Sequence, residues 1–370
     1  MIENEIYKKI SKLKSEGIKT YINNEFNFNF DSLLDKEIII FGINNSIAKE
    51  FIQKQKYFNI VVIVDDFYNE KSFNNISIVK SYNIENYKNN HAINLTFSSS
   101  AFVFFNELAL SNNIKMFNYY EITQYFDFDS AYPYFNDMLV NTLLNFNKYI
   151  EVLNYFSDNL SKSIIFKHLS YRLMFNHNNF IDVQENFENQ YFDININNNE
   201  VFIDGGCFDG QTSLILLKKD IKIKKIYCFE PDYVNLQKVK KSLEDYTNIK
   251  ILDCGLWDKK EEKYFLSTSD EISRVVEKSD NKILLDTIDN LASDATFIKL
   301  DVEGAEEKSI IGAIHTIKKK SPKLAISIYH KPNDLFEIIN LVNSINPKYK
   351  FYIRHYSDFL FDTILYGEVK

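Results

Sequence analysis

The sequence predicts an α/β protein made of two successive, mostly parallel sheets, each wound with helices. Three observations carry this expectation. Short apolar runs alternate with segments of helical spacing in both halves of the 370-residue chain. A glycine-bearing turn follows the first apolar run of each half, at Gly42 and then at Gly205, Gly206 and Gly210. The last two apolar runs, KFYIRHY and FDTILYG, adjoin with no room for a helix, which makes them an antiparallel pair. A chain of this length divides into more than one core.

The elements follow in order. After a polar helical start, KEIIIFGIN (Lys36 to Asn44) is a strand ending in a turn, SIAKEFIQKQKYF a helix, and NIVVIVDD (Asn59 to Asp66) a second strand. AINLTFSSS, a helix through FFNELALSNN, and IKMFNYY continue the alternation, so 1–130 is expected to be a small Rossmann-like domain. Its first turn keeps one glycine where nucleotide-binding folds have two or three, and its second strand ends in Asp65 and Asp66. Such a degenerate turn is either a nucleotide-sugar site in which the acid meets a ligand hydroxyl, or a structural or dimerising domain that has lost its ligand. MLVNTLLNFNKYIEVLNYF carries helical spacing without glycine, within an expected helical connector over 131–195. Over 196–370 come VFID, KIYCFE, IKILDC, a β-rich stretch to Thr287, ATFIKLD, LAISIYH and the final pair. Helices are expected after VFID, from Pro231 as first helical residue, from about Ala305 and from about Pro332. Seven strands with the last pair antiparallel is the tally of a class I methyltransferase Rossmann-like sheet.

Charge and composition narrow the partners. A net charge of -8 and a pI of about 5.4 leave no basic footprint for nucleic acid or an anionic membrane, so small ligands or proteins are the expected partners. Whether the chain forms a homo-oligomer is left open. Cys207, Cys228 and Cys254 form no C-x-x-C pair and sit in or beside apolar runs, as reduced core thiols do. The start has no apolar core of signal-peptide length and no stretch approaches about 18 apolar residues, so no membrane span and a cytoplasmic location are expected.

The turn in VFIDGGCFDGQTS (Val201 to Ser213) decides the ligand class. Gly205, Gly210 and Thr212 fall at the spacing of a phosphate-binding loop, but Gln211 stands where the lysine belongs. Gly206 and Gly210 are too far apart for the dinucleotide fingerprint. The turn offers backbone N–H groups to an anion, yet Asp204 and Asp209 make it acidic and unsuited to pyrophosphate. S-adenosylmethionine has no phosphate, carries a sulfonium and an ammonium, and presents ribose hydroxyls to carboxylate acceptors. The residues around the turn, Asp204, Gly205, Gly206, Phe208, Asp209, Gly210 and Thr212, are the candidate cofactor set. Standing alone, the same turn could hold no ligand.

Further candidates lie at strand ends. Glu230 ends the second strand in IYCFEP, where a carboxylate can accept both ribose hydroxyls, with Pro231 beside it. DCGLW brings Asp253 to the expected adenine wall, with Trp257 either part of that wall or a core aromatic. In FIKLDVEGAE, Asp301 could orient the methionine ammonium, hold a divalent cation or take a proton, while Glu303 is either its working partner or a helix N-terminal acid. His330 in YHKP ends the next strand and His355 in IRHYSD the one beside it; a neutral imidazole at such an edge can take a hydroxyl proton.

VFIDGGCFDGQT, CFEPD, FIKLDVEGAE with GAIHTIKK, and SPKLAISIYHK, in this order over Glu200 to Lys370, resemble the FkbM family of S-adenosylmethionine-dependent methyltransferases. SDNLSKSIIFKHLSYRL and QYFD resemble the connector of its two-domain members. The resemblance implies O-methylation, on hydroxyls of sugars, polysaccharide precursors or polyketides; the expected acceptor is a carbohydrate, sugar nucleotide or polysaccharide precursor. It implies Asp204, Gly206, Gly210 and Glu230 as cofactor contacts and Asp301 as the acid facing the transfer site; by its place at the strand end His330 is the candidate base, and a metal is undetermined. Cys207 departs from the family, which often has alanine there. The rival readings are a nicotinamide-dependent sugar oxidoreductase working from the first sheet, and a non-catalytic sugar-nucleotide-binding module.

Overall fold

The computed structural model describes residues 2–128, 133–177, 179–266 and 273–369. The chain forms two compact units, one of residues 1–146 and 166–182, the other of 147–165 and 183–370. The residues expected to form the connector are thus divided between the units, as the helices Met138–Glu151 and Asn159–Met174 and short turns.

In the first unit, strands β1 (Glu37–Phe41), β2 (Asn59–Val64), β3 (Ser72–Phe73), β4 (Ile76–Val79), β5 (His91–Asn94) and β6 (Lys115–Asn118) form one sheet in the order β3-β4-β2-β1-β5-β6. All pairings are parallel except β3 with β4. β1 is the sheet's buried centre, and EIIIF is nearly all apolar because both faces of a central parallel strand leave water. The β3–β4 hairpin escaped the sequence reading, although its two-residue turn, Asn74 and Asn75, sits in the left-handed region that such hairpins require.

The second unit holds the seven-stranded sheet. Its strands are β7 (Glu200–Gly205), β8 (Ile223–Phe229), β9 (Ile249–Leu252), β14 (Phe297–Leu300), β15 (Lys323–Ser327), β16 (Lys350–His355) and β17 (Thr363–Glu368), in the order β16-β17-β15-β14-β7-β8-β9. β17 runs antiparallel to both β15 and β16, as expected of the last pair. The β-rich stretch is a separate four-stranded sheet of β10 (Gly255–Leu256), β11 (Glu261–Leu266), β12 (Arg274–Val276) and β13 (Asn281–Asp286). Strand order reverses between β7 and β14, the place where open α/β sheets bind ligands at the carboxyl ends of their strands.

Local chemistry moves one expected helix start and divides another helix. Pro231 is not the first helical residue: Asp232 caps the helix Tyr233–Ser242, accepting from Val234 N at 2.9 Å and Asn235 N at 3.0 Å, so Pro231 lies just ahead of the cap. The helix expected from about Ala305 is split into Glu306–Ile311 and Ile314–Lys320. Between them a Cβ on Gly312 would lie 2.0 Å from the Trp257 carbonyl oxygen, so the chain can pass there only as glycine. All three cysteines are buried and free. Among the described residues no helix is long and apolar enough to cross a membrane.

Candidate active site

The glycine turn is built by close approach. Gly206 has φ 73°, and a Cβ there would stand 1.8 Å from the Asp301 carbonyl oxygen, so the chain leaving β7 runs directly against the chain leaving β14. Gly206 N and Cys207 N both donate to the Phe229 carbonyl at the end of β8, which fixes the turn at the sheet edge. Over these strand ends lies a cavity of about 400 Å³, within the range of small-molecule sites. Gly206, Phe208, Asp209, Thr212, Glu230, Pro231 and Asp301 line it.

Four expected contacts do not reach the cavity wall. Asp204 is fully buried beneath the turn, its Oδ1 3.0 Å from Lys299 Nζ and its Oδ2 accepting from Ser213 Oγ at 2.7 Å. Lys299 also donates to the Gly206 carbonyl at 2.7 Å, so Asp204 holds the turn in shape through the lysine. Burial pushes the Lys299 ammonium toward neutrality, but Asp204 and Asp301 outweigh it and leave its pKa raised. Gly205 packs beneath Leu256 and Leu300, and Gly210 against Leu243. Asp253 is exposed and outside the wall; Leu256, Phe265 and Leu285 of the small sheet supply the apolar side instead. Trp257 also lies off the wall, flanked by Lys263 and Lys308.

Glu230 is buried at the wall, only 6 % exposed. Its Oε2 accepts from Phe208 N and its Oε1 from Asp232 N, both at 2.9 Å. Burial pushes its pKa up to about 7 against the pull of these two backbone donors. Each carboxylate oxygen can accept a second hydrogen bond, so two acceptor positions remain for a ligand.

Asp301 ends β14 beneath the cavity. Its Oδ2 accepts from Tyr191 OH at 2.7 Å and its Oδ1 from Tyr329 OH at 3.2 Å. Removal from water favours its protonated form, but Lys299, His330 and the Tyr191 hydroxyl hold the carboxyl below the usual range. Glu303 is not a helix acid: it stands at φ 51° in the turn ahead of the helix and lines the cavity.

The histidines differ from expectation. His330 is buried and off the cavity wall, with Nδ1 3.0 Å from Glu306 Oε1 and Nε2 3.4 Å from Asp301 Oδ1 and 3.6 Å from Glu303 Oε2. Burial alone would lower its pKa, but Glu306, Glu303 and Asp301 raise it well above the ordinary imidazole value. An imidazole that keeps its proton lacks the lone pair a base needs, so these surroundings do not make His330 the neutral base expected of it. His355 is buried with Nδ1 2.8 Å from Thr363 Oγ1 and Nε2 2.6 Å from the Phe359 carbonyl, closing the β16–β17 turn. Burial lowers its pKa to about 4.

Sequence reading missed Lys299, Tyr191 and Tyr329 in the site. Lys299 had a signal, being the one charge inside the apolar run FIKL, where a buried ammonium demands a partner such as Asp204. In the first unit, Asp65 accepts from Ile43 N, Phe67 N and Tyr68 N, and Asp66 from Ser81 N. Both acids of the degenerate turn are thus engaged by their own loops.

Against solved structures, the chain matches methyltransferase FkbM from Methylobacillus flagellatus KT with a TM-score of 0.83 over 99% of both chains, at 21% identity. The chain has that methyltransferase's fold. The second unit's sheet is therefore the class I methyltransferase sheet expected. Partial matches include an rRNA methylase from Streptococcus thermophilus, at a TM-score of 0.31 and 14% identity over 47% of this chain and 90% of that one. Fibrillarin from Aeropyrum pernix, solved with S-adenosyl-L-methionine, matches at 0.32 and 10% identity over 48% and 70%. No family model and no curated protein matches the sequence.

Proposed function

We propose that the protein is an S-adenosylmethionine-dependent O-methyltransferase acting on a hydroxyl of a carbohydrate, sugar nucleotide or polysaccharide precursor. The observation that carries the cofactor is Glu230: a buried carboxylate at the second strand's end, with two acceptor positions left for the paired hydroxyls of a ribose. Gly206, where a side chain would collide with the next strand, keeps the turn low enough for a ligand to lie across it. Leu256, Phe265 and Leu285 suit the flat apolar faces of an adenine. S-Adenosylmethionine supplies a methyl group already activated on sulfur, so the protein's work is to align the acceptor and manage its proton. The hydroxyl-rich acceptor is supported by the acids at the cavity, Asp301, Glu303 and Asp362, a residue type that accepts hydroxyl hydrogen bonds. In the first unit, the turn after β1 keeps one glycine, Gly42, where the dinucleotide fingerprint needs three, which counts against a nicotinamide cofactor there.

Calorimetry on the full chain with S-adenosylhomocysteine, NAD and UDP-sugars tests the reading. S-Adenosylhomocysteine is expected to bind, and Glu230→Ala to weaken it by about 1–3 kcal/mol, the cost of unpairing hydroxyls from a charged acceptor. Binding of NAD alone, or equal affinity in the variant, would overturn it.

A further inference from the structure

The cluster beneath the cavity contains buried polar atoms that make no hydrogen bond among the described residues. His330, 3 % exposed, and Glu306, 1 % exposed, are both enclosed, yet His330 Nε2 and Glu306 Oε2 have no hydrogen-bond partner. Buried polar atoms without a hydrogen bond need an explanation, and a bound ion is one. Their neighbours are ligand-type groups: Asp301, Glu306 and His330 offer donor atoms within 4.8 Å of one another.

We propose that His330 Nε2, Asp301 and Glu303 bind one divalent cation of the first transition row at the floor of the cavity. The spacing fits. Nε2 lies 3.4 Å from Asp301 Oδ1 and 3.6 Å from Glu303 Oε2. Two ligands each about 2.1 Å from a shared ion stand roughly 3.0 to 3.4 Å apart, so both histidine–carboxylate pairs lie within a few tenths of an ångström of that spacing. The imidazole is already aimed: Nδ1 sits 3.0 Å from Glu306 Oε1, which also accepts from Val302 N at 2.8 Å. A carboxylate on Nδ1 keeps one proton there and turns Nε2 outward, the arrangement that supports histidine ligands in metal sites, and an ion bound among these acids displaces the second ring proton that they favour in its absence. One nitrogen with two carboxylates favours Mn²⁺ or Zn²⁺ over Ca²⁺, which takes oxygen ligands. Asp301 and Glu303 both line the cavity, so the ion's remaining positions face an entering acceptor. Its charge beside an acceptor hydroxyl would lower the cost of an oxyanion there. That use rests on the methyl-transfer reading; the site itself rests only on the residues named.

The test is Mn²⁺ added to chelator-treated full-length chain and followed by electron paramagnetic resonance. One bound ion per chain with nitrogen hyperfine coupling is expected. His330→Gln should abolish that coupling and weaken binding about 10- to 100-fold. Glu303→Gln, at the solvent-facing side of the cluster, keeps the test alive if His330→Gln does not fold, and should weaken binding about 10-fold. No bound Mn²⁺ in the parent chain, or affinity unchanged in both variants, would overturn the site. S-Adenosylhomocysteine titrated into the same samples separates the readings: Mn²⁺ bound without it supports the site and sinks methyl transfer, and the reverse sinks the site.

Discussion

Glu230 carries the clearest pH dependence. Its pKa of about 7 lies above the ordinary carboxyl value because burial penalises its charge. For an acid so raised, the unliganded fold holds the proton that the unfolded chain releases, so its contribution to stability is present below about pH 4.5 and is lost as pH rises to 7. A ribose donating two hydroxyls favours the ionised form. Affinity for S-adenosylhomocysteine should therefore rise from pH 6 to 8 and level off, with proton release at the lower pH. Calorimetry in buffers of different ionisation enthalpy measures both, and a profile that Glu230→Gln leaves unchanged would remove Glu230 from the site. Glu230 was legible in the sequence because strand ends can be counted. Asp204 was legible as important but not in its role, since nothing local shows that its carboxylate turns inward to Lys299. Asp253 failed for a related reason: one residue past a strand end, a side chain can face solvent or cavity, and here it faces solvent.

At the scale of elements, parallel strands were readable wherever burial on both faces made the run mostly apolar, as in β1, β7 and β14. The β3–β4 hairpin and the pairing within the small sheet were not, because their half-exposed residues mix polar and apolar types without a clean period. β14 also shows what an apolar run conceals. All of Phe297–Leu300 is buried, and Lys299 within it is tolerated by its pairing with Asp204 and its bond to the Gly206 carbonyl. Lys299→Met should cost about 3–5 kcal/mol, because it leaves Asp204 charged and alone. Adding Asp204→Asn should recover much of that loss, since a neutral amide no longer needs the ammonium. Denaturant unfolding of the two single variants and the double measures the coupling; purely additive losses would show that the pair does not act as one unit.

For the whole molecule, the boundary of the second unit is the open question the sequence framed. We place a cofactor-binding domain in 196–370, but residues 147–165 group with it, and their contacts show why. Ser161 Oγ accepts from Ile353 N of β16 at 2.8 Å and donates to Asp158 Oδ2 at 2.7 Å, while Arg354 Nη1 lies 3.3 Å from Asp158 Oδ1. This brace satisfies a buried donor on the outermost strand of the sheet, which on that side meets the chain at isolated bridges, Phe156 to Phe351 and Gln184 to His355. Ser161→Ala in the full chain should therefore cost about 1–3 kcal/mol, the penalty for a buried amide left without its acceptor. A fragment of residues 190–370 loses the brace entirely but keeps every cavity residue except Phe187. It should bind S-adenosylhomocysteine while melting several degrees below the corresponding transition of the full chain. Equal melting temperatures would make residues 147–165 dispensable, and a fragment that folds without binding would put part of the cofactor site upstream of residue 190.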